Sequence, residues 1–153
     1  MNSTYNYISG FIQAFEFSVE AISDIQALKI KLDDIQNWGG SIEGYDYHTQ
    51  YAELISNLEN HLDSLKLAAK ECETYEGITE KQLMQWFRFY GDSLDDYCAG
   101  RIKFAHQIKE ESYKQIQKQA EFREYSKKTE RKETKNAYIV IGVIALIVWW
   151  IFK

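Results

Sequence analysis

Apolar side chains in this chain recur three and four positions apart over long stretches, the spacing of one face of an α-helix. The first stretch carries Ile8, Phe11, Phe15, Val19, Ile22, Ile25, Leu28, Leu32 and Ile35. It predicts a helix of about eight turns. The pattern stops at Asn37-Trp38-Gly39-Gly40, where two glycines break it. After the loop SIEGYD, a second stripe runs through Tyr51, Leu54, Leu58, Leu62, Leu65, Ala69 and Cys72 and ends near Thr74, before Gly77. Thr79-Glu80-Lys81-Gln82 has the form of a capping box. It predicts a short aromatic helix with Leu83, Trp86, Phe87 and Tyr90, ended by Gly91. Asp92 or Ser93 then caps a last helix, whose stripe is Leu94, Tyr97, Cys98, Ile102, Ala105, Ile108, Ser112, Ile116 and Phe122. No stretch alternates with period two for long enough to build a sheet, and the chain has no proline. The fold class is all-α: an antiparallel bundle of about four helices.

Beyond Phe122 the stripe disappears while helix formers continue, which predicts a polar helical stalk. The pattern then changes kind. From Ala137 to Phe152 the sequence is AYIVIGVIALIVWWIF, without a charge. Such a run has no face to offer water and reads as a transmembrane helix. Sixteen residues give roughly 24 Å, somewhat short of a ~30 Å hydrocarbon core. Snorkelling of Lys135 and Lys153, or local thinning, closes the gap. Tyr138 and Trp149-Trp150 fall where interfacial aromatic belts form. The domain reading is therefore 1–122 bundle, 123–136 basic juxtamembrane stalk and 137–152 transmembrane helix.

Charge refines this picture. The chain of 153 residues has a formal net charge of −5. Residues 1–100 hold 17 acids and 6 bases, whereas 101–153 hold 6 acids and 12 bases. Lys127, Lys128, Arg131, Lys132 and Lys135 stand just before the span, with only Lys153 beyond it. The positive-inside rule then places the N-terminal bundle in the cytoplasm, as a tail-anchored, single-pass protein of a bacterial inner (plasma) membrane. MNSTYNYISGFIQ has neither a basic n-region nor a continuous apolar h-region, so it does not read as a signal peptide. The bases at 127–135 suit anionic lipid headgroups, and the Glu–Lys pairs at 109–126 suit a solvated helix face. Phosphate contacts with RNA are the other reading of a basic segment. Cys72 and Cys98 fall on core positions, as buried thiols of a reducing compartment do.

Catalytic signatures are sparse. The chain has no phosphate-binding glycine loop, dinucleotide turn, HExxH, nucleophile elbow or CxxC. His48, His61 and His106 are scattered, and no set has metal-ligand spacing, so no metal or cofactor is expected. One string is suggestive: Arg101-Ile102-Lys103-Phe104-Ala105-His106, an R-x4-H on the last bundle helix. Together with the helical bundle it resembles the HEPN superfamily, whose arginine and histidine form a metal-independent RNA-cleaving site, usually paired across a dimer. The residue after the arginine, generally polar in that family, is Ile102 here. With the single span added, the layout is similar to small membrane accessory proteins of type VI (RNA-targeting) CRISPR systems. That resemblance implies an oligomeric membrane assembly in antiviral defence, with a CRISPR effector or RNA as further partners, and Arg101 and His106 as a degenerate catalytic pair.

Three functions follow as expectations. The first is a self-associating membrane effector, in one form a pore, whose partners are membrane lipid and its own copies. The second is a membrane-tethered scaffold that binds partner helices through its stripes. The third is a membrane-bound ribonuclease using Arg101 and His106.

Overall fold

A computed structural model describes the backbone from residue 4 to 152 and side chains from residue 7 onward. Lys153, expected to anchor the far side of the span, lies outside the described residues. The described chain is helical, with no strand: α1 (Thr4–Asn37), α2 (Tyr47–Glu76), α3 (Glu80–Phe87) and α4 (Leu94–Ile151). It forms two compact units, one ending at Tyr113 and the other starting at Lys114.

In the first unit α2 is the shared partner. Its buried side chains are Tyr51, Ile55, Leu58, Leu62, Leu65, Ala68, Ala69 and Cys72. Helix α1 packs along it antiparallel, with Tyr7 stacked on Tyr75 and Phe17 against His61. Ala14, Ser18 and Ala21 lie on the buried face of α1, and small side chains there let the two backbones approach closely. The buried Ser18 hydroxyl is satisfied within its own helix by donating to the Phe15 carbonyl at 2.7 Å. Helix α4 also runs antiparallel to α2: Tyr51 meets Ser112, the Cys98 sulfur lies 4.0 Å from the Leu62 carbonyl, and Lys66 lies 3.7 Å from Asp95. It follows that α1 and α4 run in the same direction. The Tyr51–Ser112 hydroxyl pair, 2.7 Å apart, is buried. Burial there pushes the Tyr51 phenol above its ordinary value.

The cap chemistry explains the element borders. Asp46 accepts from the Thr49 N–H at 3.1 Å to open α2. Gly77, with φ of 66°, closes α2 in the left-handed conformation: its N–H donates to the Glu73 carbonyl and the Ile78 N–H donates to the Cys72 carbonyl. The expected capping box at Thr79 and Gln82 is formed in both directions. Ser93 caps α4 by accepting from the Asp96 N–H at 3.1 Å. Glu80, in the first turn of α3, accepts from the Leu94 N–H at 2.6 Å and so ties the two helix starts together.

Three details differ from the sequence reading. Helix α3 ends at Phe87 rather than at Gly91, because Arg88 takes the left-handed conformation (φ 54°). Tyr90 therefore lies beyond the helix, 85% exposed. The turn at Arg88 swings Phe89 inward to meet Phe11 and Phe15 on one side and Tyr97 on the other. Val19 is 44% exposed, since the buried face of α1 follows Ala14, Ser18, Ala21 and Ile25, about 130° away around the helix. Phe122 is also exposed, at 70%, with no helix packed against it within its unit. The two cysteines are buried and free, as read.

Two predictions follow from these contacts. A left-handed residue with a side chain carries a conformational cost that glycine avoids. Arg88→Gly is therefore expected to raise unfolding free energy by up to about 1 kcal/mol in chemical denaturation of the detergent-solubilised protein. Burial pushes the Cys98 thiol from 9.0 up to about 11. Between those pH values the unfolded chain gives up this proton while the folded one keeps it. Stability is thus complete below pH 9 and falls as pH rises toward 11. Melting Cys98→Ala beside the parent chain across that window should show a shallower decline for the variant.

Candidate functional site

Arg101 and His106 both lie on α4 within the first unit. Five positions along an α-helix turn through roughly 500°, leaving the two side chains about 140° apart around the axis. One copy of the chain therefore does not converge them. Arg101 is half-buried, with its guanidinium carbon 5.0 Å from the centroid of the Tyr97 ring. That distance is within cation–π range. Arg101 borders a concavity of about 370 Å³ with Tyr90, Asp96, Tyr97, Gly100 and Phe104. Tyr90 also borders a second concavity of about 550 Å³, lined by residues of the α3–α4 connection that include Arg88 and Phe89. His106 is exposed, and among the described residues no hydrogen bond, ion pair or ring contact holds it. Ile102, which follows Arg101, is half-buried.

A general base needs an orienting partner and a reacting group within hydrogen-bond reach. His106 has neither among the described residues. Arg101 stands beside aromatic walls, where a guanidinium can meet a carboxylate or phosphate while its stem packs on apolar surface. Among the described residues no group of three or more His, Cys, Asp or Glu side chains comes together to hold a metal ion. The sequence reading did not single out Phe89. Its signal was the aromatic cluster around the α3–α4 connection, which periodicity assigned to a helix face.

The residues expected at a membrane interface belong to the second unit. Lys127, Lys128, Arg131, Lys132 and Lys135 lie on α4 before the apolar run. All five are exposed. Tyr138, Trp149 and Trp150 are exposed at the two ends of that run. Every residue from Ala137 to Phe152 is exposed to its surroundings. Among the described residues α4 is the one helix long and apolar enough to cross a membrane. Comparison with protein-family models, curated proteins and solved structures returned no match.

Separate faces predict separate effects. Arg101→Ala should lower stability by about 0.5–1 kcal/mol through the lost ring contact. His106→Ala should stay within about 0.5 kcal/mol of the parent. Denaturation of the full chain in detergent compares the two, and an equal loss for both would contradict this geometry.

Proposed function

We propose that the chain is a single-pass protein of a bacterial inner membrane. Its helical bundle faces the cytoplasm, and it acts as a self-associating membrane effector. The observation that carries this reading is the apolar end of α4, exposed along its whole length. An all-round apolar helix in water would aggregate, whereas in a bilayer it is solvated. The basic residues at 127–135 support a cytoplasmic bundle through the positive-inside rule and through attraction to anionic headgroups. The likeness to HEPN-like accessory proteins of RNA-targeting CRISPR systems supports antiviral defence as the setting, with a CRISPR effector or RNA as the trigger. In this reading the bundle is HEPN-like and the Arg101/His106 pair is degenerate: Ile102 stands where that family generally has a polar residue. If the effector forms a pore, the lining offered by the span is apolar, so the pore would have to gate by dewetting or be lined by the stalk.

A second reading has one observation in its favour. Ile12 and Val19 form exposed apolar positions on α1, and partner helices dock on such seams. A membrane-tethered adaptor would use them. The mass of the full-length protein in mild detergent separates the readings. A discrete homo-oligomer, with depolarisation of cells on expression, supports the effector. A monomer that leaves membrane potential unchanged removes it.

The anchor itself is testable. Ile144 lies at the middle of the apolar run, where an arginine costs about 2.5–3.5 kcal/mol on insertion scales. Ile144→Arg is expected to shift the protein from the carbonate-resistant membrane fraction into the extractable fraction. A variant that stays membrane-integral would argue against a spanning helix.

A further inference from the structure

The large apolar side chains of α1 fall into two sets. One faces α2. The other, Ile12, Phe15, Val19 and Ile22, follows the four-and-three spacing of a packing seam along the neighbouring flank. Ile12 is nonetheless 37% exposed and Val19 44%. Helix α4 has a counterpart in Tyr97, Arg101 and Phe104, with Phe104 also 37% exposed. Phe89 touches both Phe15 and Tyr97, so the two rows start from one point. The helices run in the same direction. Val19 therefore stands near the level of Arg101, and Ile22 near that of Phe104. Two apolar rows thus border one open side of the bundle, where solvent-facing helices ordinarily carry polar residues.

We infer that this side docks a second copy of the chain as a parallel pair related by a two-fold axis along the helices. The inference rests on the self-associating membrane reading above. In a pair whose two-fold axis runs along the helix direction, the two copies point the same way and present equal heights to one another. A two-fold axis along the helix direction then sets α1 of each copy against α4 of the other. Val19 and Ile22 meet the Phe104 row of the second copy, which buries apolar surface on both sides. The charges match as well. Among the described residues no salt bridge holds Arg101, although it is half-buried. Glu16 is exposed and borders the α1 seam, four positions after Ile12 and three before Val19. It lies about one turn from the level of Arg101. Each Arg101 therefore meets Glu16 of the other copy, and symmetry makes the contact twice. His106, about 140° around α4 from Arg101, falls outside the pair.

Cross-linking of the full-length protein in liposomes tests this. Copies carrying Val19→Cys are mixed with copies carrying Phe104→Cys and oxidised. The native Cys72 and Cys98 are buried and give little background. A mixed disulfide dimer is expected, and none is expected from Leu67→Cys, which lies exposed on the outward side of α2. Arg101→Glu should weaken self-association about tenfold or more, and mixing with Glu16→Arg copies should restore it. A parent chain that stays monomeric in both detergent and liposomes overturns self-association itself. A chain that self-associates, links through Leu67→Cys and ignores Arg101→Glu overturns this face and leaves self-association standing.

Discussion

The apolar end of α4 is the constraint on which the rest of this protein depends. From Ala137 to Phe152 every residue is exposed. Burying a few large aliphatic and aromatic side chains is worth about 1.5–3 kcal/mol each, so leaving this many exposed to water is not a stable solution. Lipid, or a second protein surface in lipid, has to supply the cover. That requirement restricts everything upstream. In the proposed membrane reading it confines each copy to a plane and gives all copies one direction. It also places a segment rich in lysine and arginine where headgroups would be.

The bundle has its own organising contact. Helix α2 is packed on both sides, but α1 and α4 need something to set their spacing, and Phe89 fills that position between Phe15 and Tyr97. It gets there because Arg88 turns left-handed and ends α3 early. A longer α3, continued to Gly91, would carry Phe89 past this point. The aromatic cluster, the short helix and the exposed Tyr90 are thus consequences of one backbone turn. The Glu80 carboxylate on the Leu94 N–H holds the other end of the same connection.

Much of this was legible in the sequence, and the gaps have physical causes. Helix class and the stops at Gly39-Gly40 and Gly77 follow from periodicity and from glycine's access to positive φ. So does the capping box at Thr79. Position within a helix face was harder to read. A stripe drawn through large residues assigned Val19 to the core, because Ala14, Ser18 and Ala21 carry little hydrophobic signal although they line the buried face. Close helix contact selects small residues, which periodicity counts as neutral. The end of α3 was missed for a similar reason: glycine is the expected left-handed residue, and Arg88 takes that conformation instead. The chemistry of the site was least legible. An R-x4-H string fixes a spacing along the chain, not a meeting of side chains.

That spacing bears on what the motif can do. On one α-helix, Arg101 and His106 diverge by about 140°, so any joint chemistry needs a second copy to complete it. The apolar rows beside Arg101 favour a pairing in which α1 of each copy covers α4 of the other, and in that pairing His106 is left outside. Arg101 would then meet a carboxylate across the pair rather than a phosphate beside an imidazole. An arginine in that setting confers specificity of pairing more than affinity, because a desolvated charge is costly unless its partner arrives with it. The same half-buried guanidinium that resembles part of a catalytic pair is better suited, by its aromatic walls and its level with Val19, to selecting which surface docks beside it.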